Sequence, residues 1–177
     1  MVGKSSLTYR CINYNAPEDH DPTIEDKFLT MLNIDGKSVT INILDTAGQQ
    51  DYQRSLLDTW IDSGDGFLLV FAINDKESFN DLDSKKSKID LIKKKTKAPI
   101  ILVGNKSDLT GDRKVARKEA EDKAKQWGVQ YMETSAKSDE NCKEVFIECA
   151  KKIINSQSSG KSNTTIETTN KKCCTIF

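Results

Sequence analysis

Three short polar segments sit where buried strands should end, and each has residue types suited to one part of a nucleotide. Gly3-Lys4-Ser5 opens a short helix over residues 6–12. Backbone amides and the positive end of a helix favour phosphate there. The Lys4 ammonium would lie on the outer phosphates, and the Ser5 hydroxyl would bind Mg²⁺. Taken alone the triplet says little, since Gly36-Lys37-Ser38 and Gly160-Lys161-Ser162 repeat it away from any strand-to-helix junction. Asp45-Thr46-Ala47-Gly48-Gln49 follows a strand at 40–44. An aspartate at a strand end can hold the shell of a Mg²⁺ ion, and Gly48 lets its amide approach a terminal phosphate. Gln49 can orient an attacking water, although a polar turn has the same composition. Asn105-Lys106-Ser107-Asp108 follows a third strand. The Asp108 carboxylate can accept both N–H donors on the Watson–Crick edge of guanine, whereas adenine presents an acceptor there and is repelled. Asn105 would bond the other edge of the purine and tie loops together, with the Lys106 stem covering the base. A solvated turn remains the alternative, because Asn, Ser and Asp all favour turns.

These segments need a scaffold, and the rest of the chain supplies one. Residues 28–34 and 38–44 alternate in character around Asp35-Gly36, a hairpin signal. Residues 66–73 and 99–104 are continuous apolar runs, as strands covered on both faces require, and 129–133 is a shorter third. Helical patterns over 78–95, 113–127 and 141–155 separate them. Buried strands alternating with helices predict an α/β fold: a mostly parallel sheet with one antiparallel edge strand and helices on both faces. Ligands of such sheets sit at the carboxyl ends of the strands, where the three segments lie.

Composition narrows the choices. The 177 residues carry 27 Lys+Arg against 27 Asp+Glu, a formal net charge of zero that argues against nucleic acid as a partner. No apolar run approaches the roughly 20 residues of a membrane-spanning helix. Cys11, Cys142 and Cys149 read as small buried hydrophobes, and the five cysteines make no zinc spacing. Lysines 85, 86, 88, 93, 94, 95 and 97 read as a solvated helix face, and Trp60 and Trp127 as packing residues. Residues 1–155 form the expected domain. Residues 156–177, poor in large apolar side chains, read as a disordered tail.

The ordered set Gly3-Lys4-Ser5, Asp21-Pro22-Thr23-Ile24-Glu25-Asp26, Asp45-Thr46-Ala47-Gly48-Gln49, Asn105-Lys106-Ser107-Asp108 and Glu133-Thr134-Ser135-Ala136-Lys137 resembles the Ras small GTPases. The likeness runs from residue 2 to about 155, and the 21–26 segment looks most like the effector loop of the Ras/Rap branch. The resemblance implies the P-loop G-domain fold and a switch that binds GTP or GDP with Mg²⁺ and hydrolyses GTP slowly; this family is a standard worked case of that chemistry. It places Gly3, Lys4, Ser5 and Ser6 on phosphate, and Ser5, Thr23 and Asp45 around the metal. Gly48 would bond the γ-phosphate, and Gln49, with Lys4 and Thr23, would serve hydrolysis. Asn105, Lys106, Asp108, Ser135, Ala136 and Lys137 would hold the base. Effectors would dock on His20 through Asp26, an exchange factor would release GDP, and an activating protein would supply an arginine. Two rival readings are a non-catalytic relative that only presents the effector loop, and an ATP-dependent enzyme, which Asp108 opposes.

Three departures from the pattern stand out. His20 replaces the usual tyrosine of that loop, and the stretch from Asp45 to Phe67 is one residue longer than in typical Ras. The family also has an apolar central strand and half a phosphate loop ahead of the point where this sequence starts. Burying five or six large apolar side chains is worth about 1.5–3 kcal/mol each. The sum is on the order of 10 kcal/mol, a whole domain's net stability. The expectation is therefore that residues 1–177 alone fold poorly and bind nucleotide weakly, and that roughly a dozen further residues precede them in the working protein.

At the other end, Cys174-Thr175-Ile176-Phe177 matches the Cys-a-a-X prenylation signal, with a final Phe favouring geranylgeranyl. Cys173 could carry a palmitoyl group, and Lys171 and Lys172 would favour an anionic leaflet. The expected location is the cytoplasmic face of the plasma membrane, held by that lipid.

Overall fold

The computed structural model describes residues 1–13, 25–46, 50–158 and 172–177, with side chains omitted at 50–55 and 157–158. Helix α1 (Lys4–Cys11) precedes strands β1 (Glu25–Ile34) and β2 (Lys37–Thr46), then α2 (Gln50–Ser63) and β3 (Gly66–Ala72). Next come α3 (Lys76–Asn80), α4 (Leu82–Ile92), β4 (Ile100–Asn105), α5 (Arg117–Trp127), β5 (Gln130–Glu133), α6 (Cys142–Ser158) and β6 (Lys172–Ile176). The six strands lie in the order β1-β2-β6-β3-β4-β5, with β1 and β2 antiparallel and every other pair parallel. This is the mostly parallel sheet with one antiparallel edge strand that the sequence predicts. The hairpin turns on Asp35 and Gly36, both at positive φ (50° and 80°), and the Gly36 amide donates to Asn33 Oδ1 at 3.0 Å. Two successive left-handed residues match the twist of the flanking strands.

The core lies in two layers, one on each face of the sheet. Leu7 and Cys11 of α1 and Val145, Phe146, Cys149 and Ile153 of α6 cover one face. Trp60 and Ile61 of α2, Phe79, Leu82, Ile89 and Ala120 cover the other. Strands β3 and β4 are buried along their whole length, as their unbroken apolar runs require. The expected helix at 78–95 is divided: Asp75 caps α3 through its carboxylate to the Ser78 amide at 3.2 Å, and α4 restarts after Asp81. Helix α2 has no counterpart in the sequence reading, although Leu56, Leu57, Trp60 and Ile61 share one helical face. Trp60 is a core residue as expected, and its Nε1 also donates to Glu25 Oε2 of β1 at 2.7 Å. Lys85 departs from the solvated-face reading: it is partly buried, and burial lowers its pKa.

The largest difference is at the C-terminus. Residues 156–158, read as tail, continue α6, and Lys172–Ile176 form a central strand. Strand β6 pairs with β2 (Ile43↔Cys174) and with β3 (Gly66↔Cys174), so the two edges expected to lie open are joined through it. Its side chains alternate as a two-sided strand must. Cys174 and Ile176 enter the α1/α6 layer, while Cys173 and Phe177 enter the opposite one. A neighbouring glycine makes room: a Cβ on Gly64 would meet Thr175 Oγ1 at 2.7 Å and the Phe67 ring at 2.6 Å. Residues 159–171 of the expected tail lie outside the described residues; in the last five, composition averaged over 22 residues had hidden a concentration of apolar side chains.

Candidate functional site

The carboxyl ends of β2, β4 and β5 and the start of α1 converge at one end of the sheet. Gly3 caps α1 in the left-handed region (φ 85°), and its carbonyl accepts from the Leu7 amide at 3.0 Å. A Cβ at Gly3 would lie 2.7 Å from Asn105 Nδ2, so only glycine permits this approach of the two segments. Lys4 is almost fully buried (9% exposed). Burial lowers its pKa to about 8; the Lys85 charge adds to that, while Asp45 opposes it. Lys4 is thus an ammonium held in a poorly solvated place, which an incoming anion would relieve.

Asn105 is the hub of the site. It ends β4 buried, donates from Nδ2 to the Val2 carbonyl at 2.9 Å, and accepts from Thr134 Oγ1 at 3.1 Å. One amide therefore holds the start of the chain, the end of β4 and the end of β5 in register. Lys106 follows at φ 66°, and its Nζ donates to the Met1 carbonyl at 3.0 Å. Ser135 Oγ donates to Asp108 Oδ1 at 2.6 Å and accepts from the Ser138 amide at 3.1 Å, which orients the carboxylate from one side. From α1, Arg10 Nε donates to the Ala136 carbonyl at 2.8 Å and fixes the loop that carries Ser135 and Lys137.

Between these segments lies a cleft of about 650 Å³, lined by Gly3, Ser6, Asn105, Lys106, Asp108 and Lys137 among others. That size and mixed lining suit a nucleoside. The structure thus brings Gly3, Lys4, Asn105, Lys106, Asp108, Ser135, Ala136 and Lys137 to one end of the sheet, as the spacing of their motifs predicts. Of the expected metal set, Ser5 lies in the first turn of α1 and Asp45 is the penultimate residue of β2, wholly buried. A hydroxyl and a carboxylate are the hard oxygen donors that Mg²⁺ takes, and a buried carboxylate suits a cation, so these two residues fit the ion. His20, Asp21, Pro22, Thr23, Ile24, Gly48 and Gln49 lie outside the described residues. Glu25 and Asp26 begin β1 at the sheet's edge.

Three supporting residues went unnoticed in the sequence. Arg113 makes a two-pronged pair with Glu133 (2.8 and 3.0 Å), and Tyr131 Oη donates to the same carboxylate at 2.8 Å. Burial pushes the Glu133 carboxyl up, but those bonds outweigh it and hold the group below its ordinary range. Together with Arg10, they brace the end of β5 from which Thr134 and Ser135 project. Single arginines and a tyrosine have no sequence spacing that would mark them.

A model of the Ras family matches residues 1–155 of the chain. Curated relatives include the Ras-related protein Ral-B of Rattus norvegicus, 40% identical over 186 residues that cover 99% of this chain and 88% of the relative. The Ras-related protein O-RAL of Diplobatis ommata is 42% identical over 183 residues, with the same coverage of each chain. The Ras-related protein Ral-a of Drosophila melanogaster is 43% identical over 152 residues, covering 86% of this chain and 75% of that one.

Proposed function

The chain belongs to the Ras family of small GTPases, and from that premise we propose that it is a membrane-anchored switch that signals in its GTP form and turns itself off by slow hydrolysis. The observation that carries the nucleotide reading is the Asp108–Ser135 bond at the mouth of the cleft. It presents a fixed carboxylate to a base that offers two donors, which guanine does and adenine does not.

Each group then has a task. Asn105 keeps the base loops and the α1 start at a fixed separation. Lys106 and Lys137 flank the base, and the α1 start with Lys4 receives the phosphates. Mg²⁺, held by Ser5, Asp45 and Thr23, would neutralise charge on the phosphate oxygens. Gln49 would align the attacking water, so the work is positioning and charge stabilisation. Loss of the γ-phosphate would free Thr23 and Gly48, relaxing the loops that effectors read. An exchange factor would discharge GDP and an activating protein would complete hydrolysis.

Cys174 would carry the prenyl group and Cys173 a palmitoyl group, placing the protein on the cytoplasmic face of the plasma membrane. Mass spectrometry of nucleotide released from the protein purified with the expected upstream strand restored, beside the 177-residue chain as a comparison, tests the central reading. One guanine nucleotide per restored chain is expected. Restored protein that is nucleotide-free and whose thermal melt ignores added GDP and GTP with Mg²⁺ would overturn it.

A further inference from the structure

Ser135 is held by more than its bond to Asp108. After Lys137 the chain folds back on itself, with Asp139 and Asn141 both left-handed (φ 57° and 53°), so that Glu140 between them lies opposite Ser135. The two backbones exchange a pair of amide-to-carbonyl bonds, each 3.0 Å long. Asp and Asn adopt the left-handed region at less cost than most residues, because a short polar side chain can bond locally. Here Asn141 Nδ2 donates to the Glu133 carbonyl at 2.9 Å.

Two side chains extend this fold-back beyond its own loop. Glu140 Oε2 accepts from Ser107 Oγ at 2.8 Å, so the loop grips the Asn-Lys-Ser-Asp turn at the residue next to Asp108. The Ser107 amide also donates to the Thr134 carbonyl at 3.0 Å. At the first residue of α6, Cys142 is 1% exposed; its thiol donates to the Ser135 carbonyl at 3.2 Å, with the Glu140 carbonyl 3.6 Å away. Burial above all pushes the pKa of this thiol up to about 12, so it stays a protonated donor at neutral pH. The Ser135 carbonyl thus accepts twice, from the Glu140 amide and the Cys142 thiol. None of Ser107, Glu140 and Cys142 is among the described residues that line the cleft.

We propose that Ser107, Glu140 and Cys142 are positioning residues for the base: together they clasp the Asp108 turn to the Ser135 loop, and the clasp sets how long guanine nucleotide stays bound. The inference rests on Asp108 and Ser135 reading guanine. Letting the base out requires the two turns to part, and each bond that must break with them slows that local opening. The phosphates would sit instead against the α1 start, so the clasp leaves hydrolysis of bound GTP alone.

The test uses the protein with the expected upstream strand restored, loaded with a fluorescent GDP analogue and Mg²⁺, and follows release into excess unlabelled GDP. Ser107→Ala and Glu140→Ala should each speed release about fivefold, the net worth of one ordinary hydrogen bond. The double variant should be no faster than either alone, since both remove the same bond. Glu140→Gln keeps an acceptor oxygen and should stay within about twofold of the parent. Cys142→Val removes the buried donor and should speed release about threefold, whereas Cys142→Ser keeps a donor and should fall back toward the parent. In Glu140→Ala the single-turnover hydrolysis of bound GTP should hold at the parent's rate, a split that general loosening of the fold would not give. Parent-like release in Ser107→Ala and Glu140→Ala, or additive effects in the double variant, would overturn the clasp while leaving the guanine reading standing. A parent that holds no guanine nucleotide would overturn that reading and the clasp with it.

Discussion

Thr134 Oγ1 donates to Asn105 Oδ1 at 3.1 Å, and the Asn105 amide nitrogen in turn holds the Val2 carbonyl at 2.9 Å. The carboxyl ends of two strands and the start of α1 are thereby joined through one buried side chain. Asn105→Ala should cost about 2 kcal/mol, the worth of two buried hydrogen bonds. It should also speed loss of bound nucleotide about tenfold or more. A thermal melt and the release rate of a fluorescent GDP analogue check the two effects. An unchanged release rate would mean that the hub does not shape the cleft.

Asp108 has one oxygen taken up by Ser135 at 2.6 Å. Asp108→Ala removes the carboxylate that the proposed base reading assigns to both guanine donors and leaves them without their acceptor. GTP affinity should fall by about a hundredfold or more, with ATP affinity little changed. Competition titrations of the two nucleotides against labelled GDP measure the ratio, and a retained preference for GTP would count against the base-reading role.

Lys4 has its pKa lowered to about 8 by burial and by Lys85. Between that value and the unfolded value of 10.5 the folded chain holds fewer protons than the unfolded one. Stability of the nucleotide-free protein should therefore rise with pH across that window. Affinity for phosphates should move the other way, steady below pH 8 and falling above it as the ammonium is lost. Equilibrium titrations of GDP across the window, with Lys4→Met as the flat control, follow the effect; equal slopes in both would remove Lys4 from the phosphate site.

Glu133 is held below its ordinary carboxyl range, burial being outweighed by Arg113 and Tyr131. A depressed carboxyl contributes stability at neutral pH that fades as pH falls through its folded value. Glu133→Gln should lower stability by about 1–3 kcal/mol at neutral pH, the range for a charge-assisted bond. The gap from the parent should narrow in acid. Denaturant melts at neutral pH and below the normal value of 4.5 read both limbs.

The groups proposed to hold nucleotide were legible in the sequence because each is a local device. A glycine-lysine-serine helix start, an aspartate after a strand and an Asn-Lys-Ser-Asp turn depend on neighbours a few residues away, and the alternation of apolar runs with helical patterns orders those devices along a parallel sheet. The braces Arg10, Arg113 and Tyr131 were not legible, since their partners Ala136 and Glu133 are chosen by packing rather than spacing. The fate of the last six residues belongs wholly to the tertiary structure. Cys-Cys-Thr-Ile-Phe has the same local pattern in a tail as in a strand, and its place was decided by β2 and β3. Those strands present facing backbone edges with apolar layers on both sides, and a parallel strand that puts apolar side chains on both of its faces is complementary to them.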